Sequence, residues 1–101
     1  MKSTTKQTFK QDVLLSKKTI LLDVWATWCA PCRGMNPIID KIAEEMKDRI
    51  EVVKLDATTE MDFAQELGVT GLPTFIVYQN GQIVNMSTGV ISKDNLVKML
   101  G

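Results

Sequence analysis

Cys29 and Cys32 stand two residues apart in the segment WATWCAPCRGMNP, residues 25–37, which also holds both tryptophans and two of the three prolines of the chain. Two thiols at this spacing can form a structural disulfide, supply half of a zinc site, or act as a reversible dithiol. A disulfide that closes so short a loop constrains the unfolded chain little. A structural zinc ion takes four ligands from cysteine, histidine or carboxylate. The chain has no histidine and no second cysteine pair, so only a site shared between two copies would complete one. By residue type the strongest reading is a redox pair.

The pair lies where an apolar, strand-like run ends and a helical period begins. In the first turn of a helix, residues i and i+3 share a face. Their α-carbons then fall within the range a disulfide needs, and the bond can open and close with little backbone movement. The free N–H groups and the positive end of the helix stabilise a thiolate at Cys29, the sulfur nearer the helix end. Pro31 suits this turn because its missing N–H costs nothing there, and Arg33 adds positive charge nearby. Upstream, Asp23 sits inside the apolar run LLDVW. A carboxyl buried in such a strand is destabilised in its charged form, so its titration moves toward neutral pH and it can accept and return a proton.

The elements that position these residues follow from periodicity. QTFKQDVLLS, 7–16, places Phe9, Val13 and Leu14 at helical spacing, and TILLDVW, 19–25, has the length and apolar content of a buried strand. From Ala30 to about Lys47, residues Ile38, Ile39, Ile42, Ala43 and Met46 keep a helical period, with Pro37 expected to kink that helix. IEVVKLDA, 50–57, reads as a second buried strand, and MDFAQELG, 61–68, as a short helix ending at Gly68. TFIVYQNGQIVNMSTG, 74–89, holds two strand-like runs around Asn80-Gly81, a dipeptide suited to a type I′ hairpin turn. SKDNLVKML, 92–100, reads as a last helix capped by Ser92, and a short strand is expected near Ser3–Thr5. The two helix-linked strands are expected to run parallel with a right-handed crossover. The hairpin adds antiparallel strands, which predicts a single α/β domain over 1–101. It has three layers, α/β/α: a mixed sheet of four to five strands flanked by about four helices.

Composition narrows the function. Twelve basic residues balance twelve acidic ones, with no basic run, so no charged field invites nucleic acid or an anionic membrane. The N-terminal MKSTTKQTFKQDV has no apolar run of signal-peptide length, and no stretch is long enough to span a bilayer. A cytoplasmic location is therefore expected, and a permanent disulfide is rare in that compartment.

These residues resemble the thioredoxin family over nearly the whole chain. LLDVWATWCAPCR is similar to the family's active-site segment, and VVKLDAT to its strand after the first crossover. GVTGLPTFIVYQNGQIV resembles its proline loop and hairpin, and TGVISKDNL its last loop and helix. The association of a cytosolic C-x-x-C beside a βαβ pattern with this redox motif is a general rule. The resemblance implies a protein-disulfide reductase with Cys29 as nucleophile and Cys32 as the resolving, more buried thiol. It implies that Asp23 is the buried acid beneath them and Lys54 its basic neighbour. It implies that Pro73 is a cis-proline packed on the disulfide, and that Trp28, Leu72 and Gly89 form part of the surface that holds a substrate chain. Trp25 is expected in the core. No bound cofactor is implied beyond the redox disulfide. The resemblance implies that electrons come from NADPH through a partner flavoprotein reductase and that the substrates are disulfide-containing proteins, and a monomer without nucleic acid or membrane is expected.

Three positions depart from the commonest family pattern: Ala30 stands where glycine is usual, Gly34 where a larger apolar residue is common, and Thr27 where an acid or proline is frequent. Ala30 bears on the redox potential, and Gly34 weakens its helix by about 1 kcal/mol relative to alanine. The rival activities on the same fold are a thiol oxidase or isomerase and a non-catalytic role as a partner subunit. Oxidases of this kind often carry histidine between the cysteines, which Ala30-Pro31 does not supply.

Overall fold

A computed structural model describes residues 1–101. Five strands form one mixed sheet in the order β1-β3-β2-β4-β5. They are β1 (Lys2–Thr4), β2 (Thr19–Trp25), β3 (Ile50–Asp56), β4 (Thr74–Gln79) and β5 (Gln82–Thr88). Three α-helices join them, α1 (Ala30–Glu45), α2 (Met61–Glu66) and α3 (Lys93–Met99), together with a π-helical turn at Lys10–Leu14. β1, β3 and β2 run parallel, while β4 is antiparallel to β2 and β5 antiparallel to β4. This is the three-layer architecture expected, with the weak N-terminal strand present as an edge.

β2 is central, and Ile20, Leu21, Leu22, Asp23 and Val24 are all buried because both faces of the strand are covered. Alternation sends Ile20, Leu22 and Val24 into one apolar cluster with Phe9, Val13, Val53, Leu55 and Ala64. Leu21 goes to the other face, with Met35, Ile39 and Ile42 of α1, Phe75 and Val77 of β4, and Leu96 of α3. Each such side chain contributes roughly 1.5–3 kcal/mol of burial free energy. On α1 the buried residues Cys32, Met35, Ile39 and Ile42 form one stripe, which is why that helix lies flat on the sheet.

The first helical segment is shorter and wider than its periodicity predicts. The Thr8 hydroxyl accepts from the Thr5 N–H at 3.0 Å and lies 3.2 Å from the Thr4 hydroxyl, so residues 5–8 form a turn rather than a helix start. Beyond it the Leu15 N–H reaches back to the Lys10 carbonyl at 2.9 Å, a π-type bond. Phe9 and Val13 are still buried as their spacing predicts, with Phe9 edge-on to Phe63 at 5.0 Å. Helix α1 ends two residues before the expected Lys47, and α2 ends at Glu66 with Gly68 following at φ +95°. Asn80 and Gly81 have φ values of 53° and 79°, as the hairpin turn requires. Ser92 caps α3 by accepting from the Asn95 N–H at 3.2 Å. No helix is long and apolar enough to cross a membrane.

Candidate active site

Cys29 is the N-cap of α1. Its backbone is extended (φ −92°, ψ 100°), and its Sγ accepts a hydrogen bond from the Cys32 N–H at 3.2 Å. Pro31 lies in the first helical turn, so no N–H is left over there. The turn brings the two α-carbons to 5.3 Å, and the sulfurs are joined as a disulfide. The resemblance had Cys32 as the more buried of the pair, but the two residues are equally covered, each 4 % exposed. The bond draws both sulfurs under one apolar cap, in which Ala26, Trp25 and Leu72 pack against them. Trp25 is therefore only half-buried and touches the redox centre, whereas a pure core position was expected.

The loop before Cys29 is held by polar contacts that sequence reasoning missed. The Arg33 guanidinium donates to the Thr27 carbonyl at 2.8 Å, and the Thr27 N–H donates to the Thr58 hydroxyl at 2.9 Å. Thr58 is in turn fixed by its own N–H on the Asp56 carboxylate at 2.9 Å. Arg33 was expected only to add charge, and nothing in the local spacing announces Thr58, because it lies 31 residues from Thr27. The proline loop is similarly tied. The Leu72–Pro73 bond is cis, the Gly89 N–H donates to the Pro73 carbonyl at 2.7 Å, and the Thr74 hydroxyl donates to the Gly71 carbonyl at 2.6 Å. Gly89 adopts φ +96°, which favours glycine.

Asp23 is buried in β2 on the side of the sheet that α1 covers. It follows Leu21 on the sheet face covered by α1, and Cys32 precedes Met35 by one turn on the buried stripe of that helix. Parallel pairing aligns Asp23 with Lys54 on β3, and antiparallel pairing aligns it with Phe75 on β4. Burial pushes the Asp23 carboxyl up from 3.8 to about 6, and the Lys54 ammonium, 3.9 Å away, partly opposes the rise. That ammonium also donates to the Asn36 side-chain oxygen at 3.2 Å. Asn36 is one turn beyond Cys32 on the same helix, and that i+4 spacing was the available signal for it.

Trp28 is 64 % exposed and forms one end of an open groove of about 540 Å³, lined also by Met61, Val69, Gly71 and Leu72. Leu72 packs against the disulfide and lines the groove together with Trp28, while Gly89 does not line it and instead donates its N–H to the Pro73 carbonyl. A disulfide at a helix N-terminus, with a buried carboxyl on the sheet face that the same helix covers and an apolar cover that includes Leu72 of the groove, is the machinery of thiol–disulfide exchange. Fold and site together define a thiol-disulfide oxidoreductase, specifically a protein-disulfide reductase.

Comparison with known proteins gives the family. The sequence profile described as Thioredoxin matches residues 1–101. Thioredoxin 1 of Nostoc sp. is 38% identical over 96 residues, covering 95% of this chain and 90% of that protein. The thioredoxin of Synechocystis sp. is 37% identical over 92 residues, covering 91% of this chain and 86% of that protein. The bifunctional thioredoxin reductase/thioredoxin of Mycobacterium leprae is 41% identical over 96 residues, covering 95% of this chain and 21% of that protein. The chain belongs to the thioredoxin family.

Proposed function

We propose that Cys29 is the attacking sulfur, Cys32 the resolving one, and Asp23 the group that takes the proton from Cys32. Cys29 thiolate attacks a substrate disulfide, forming a mixed disulfide and releasing one substrate sulfur as a thiolate that takes up a proton. Asp23 removes the Cys32 proton, and Cys32 attacks the Cys29 sulfur. The second substrate sulfur leaves and is protonated, so two electrons and two protons pass to the substrate. The observation that carries this order is the 3.2 Å hydrogen bond from the Cys32 N–H to the Cys29 sulfur, which stabilises charge on Cys29 once the bond to Cys32 opens. Pro31 shapes the turn, Lys54 tempers Asp23, and Pro73 presents backbone to a substrate chain that lies over Trp28, Leu72 and Gly89.

The resulting disulfide is reduced by an NADPH-dependent flavoprotein reductase. The relative whose name pairs thioredoxin reductase with thioredoxin supports that partnership. Residues 1–101 work as one domain and as a monomer in a reducing cytoplasm, and both apolar clusters sharing one sheet support the single domain. Trapping tests the assignment: Cys32→Ser is expected to accumulate mixed disulfides with protein substrates through Cys29. A folded Cys32→Ser protein that traps nothing, while Cys29→Ser does, would reverse the roles.

A further inference from the structure

The Lys54 side chain crosses the space between the sheet and α1 with only 20 % of its surface exposed. Its ammonium meets two oxygen acceptors there, the Asn36 amide at 3.2 Å and the Asp23 carboxyl at 3.9 Å. The nitrogen is thus 0.7 Å nearer the neutral acceptor than the charged one, the difference of those two distances. We propose that Asn36 is a positioning residue for the resolving step, its side-chain amide holding the Lys54 ammonium off the Asp23 carboxyl. The inference rests on the reading of Asp23 as the proton acceptor for Cys32.

The chemistry gives the arrangement a purpose. A tight ion pair would keep Asp23 ionised well below neutral pH and make it a poor acceptor for a thiol proton. An ammonium left in water would do the opposite and leave the buried carboxyl protonated. An ammonium anchored by a neutral group at intermediate distance leaves the carboxyl able to exchange a proton near neutrality. Other neighbours do not substitute for this. β4 offers the apolar Phe75 as cross-strand partner, and α1 brings the uncharged Asn36 to the Lys54 ammonium. Asp56 at the end of β3 is engaged with the Thr58 N–H, and Arg33 with the Thr27 carbonyl. Lys54 is the charged group whose field acts on Asp23.

Removing the amide leaves Asp23 as the ammonium's nearest acceptor. Closing the pair from 3.9 Å to about 2.9 Å, at an effective dielectric of about 20, lowers the Asp23 titration midpoint by about one pH unit. The test follows the Asp23 carboxyl carbon by NMR against pH in reduced and oxidised protein, with the same spectra reporting the fold. Asn36→Ala is expected to lower the midpoint, and Asn36→Asp, which adds a like charge beside Asp23, to raise it. In a Lys54→Met background, Asn36→Ala is expected to leave the midpoint where Lys54→Met alone puts it. The acid limb of the resolving step, read from single-turnover substrate release, is expected to follow the Asp23 midpoint in Asn36→Ala. An unchanged or raised midpoint in Asn36→Ala, or a shift that persists without Lys54, overturns the proposal. The titration reads the hold on the ammonium whether or not the carboxyl moves a proton. Failure of the proton-relay reading is detected separately, by an unaltered resolving step in Asp23→Asn.

Discussion

Replacing Asp23 with asparagine removes a charge that the fold must bury. The carboxyl titrates at 3.8 when unfolded and at about 6 in the native protein, because burial raises it more than Lys54 lowers it. The difference of 2.2 pH units, multiplied by about 1.36 kcal/mol per unit, gives about 3 kcal/mol. The sign follows from proton binding: the native state holds this proton more tightly than the unfolded state. Stability from protonated Asp23 is therefore fully present below 3.8 and is lost as the pH rises through about 6. Above that range ionised Asp23 destabilises the fold. The variant is expected to be about 3 kcal/mol more stable than the parent at about pH 8, with the gain vanishing near pH 3. Lys54 is not stranded by the change, since it remains bonded to Asn36. Guanidinium unfolding of the oxidised proteins measures the effect. With a slope of about 3 kcal/mol per molar, the midpoint at high pH moves up by about 1 M. An absent gain at high pH, or an equal gain at low pH, refutes the reasoning. The same variant is expected to slow release of substrate from the mixed disulfide if Asp23 takes the Cys32 proton as proposed.

Other substitutions test other parts of the structure. Gly34→Ala places a Cβ in open space within α1 and is expected to raise stability by about 1 kcal/mol in thermal unfolding; nothing in the structure explains why glycine stands there. Gly81→Ala is expected to cost about 1–2 kcal/mol or more in chemical denaturation, since φ is +79° and the new Cβ would meet the Leu14 carbonyl oxygen at 2.9 Å. Ser92→Ala removes the cap on the Asn95 N–H and is expected to lose about 1 kcal/mol by the same assay. Tyr78→Phe deletes a buried hydroxyl that has no hydrogen-bond partner, so unfolding is expected to show equal or slightly greater stability. A loss of more than about 1 kcal/mol there would mean that the hydroxyl has a partner, such as a buried water.

Much of the fold could be read from the chain because its signals are local. β2 has the bounds its apolar run predicts, the Asn80-Gly81 turn has the positive φ values its residue types favour, and Ser92 caps α3. The N-terminal segment was misread as a regular helix because the threonine hydroxyls that spoil its start compete through side-chain bonds rather than through apolar spacing. Trp25 at the end of an apolar run reads as core, because strand alternation says at most which face a residue takes. It does not say whether that face ends at a disulfide.

The site divides the same way. Sequence by itself determined that Cys29 and Cys32 share a helical turn, that the helix begins at them, and that Asp23 lies in a buried strand. Spacing and apolar pattern are enough for those statements. Tertiary structure alone decided what surrounds them. Strand register set the Asp23–Lys54 distance, for which spacing alone gave no signal and only the family resemblance paired the two; the packing of α1 brought Asn36 to that ammonium, and a contact across 31 residues hung the Thr27 loop on Thr58. Each of these joins residues far apart in the chain, and their geometry exists only once the sheet has its register and the helix its seat. The exchange chemistry is therefore written in a four-residue motif, while the polar contacts around it belong to the assembled fold.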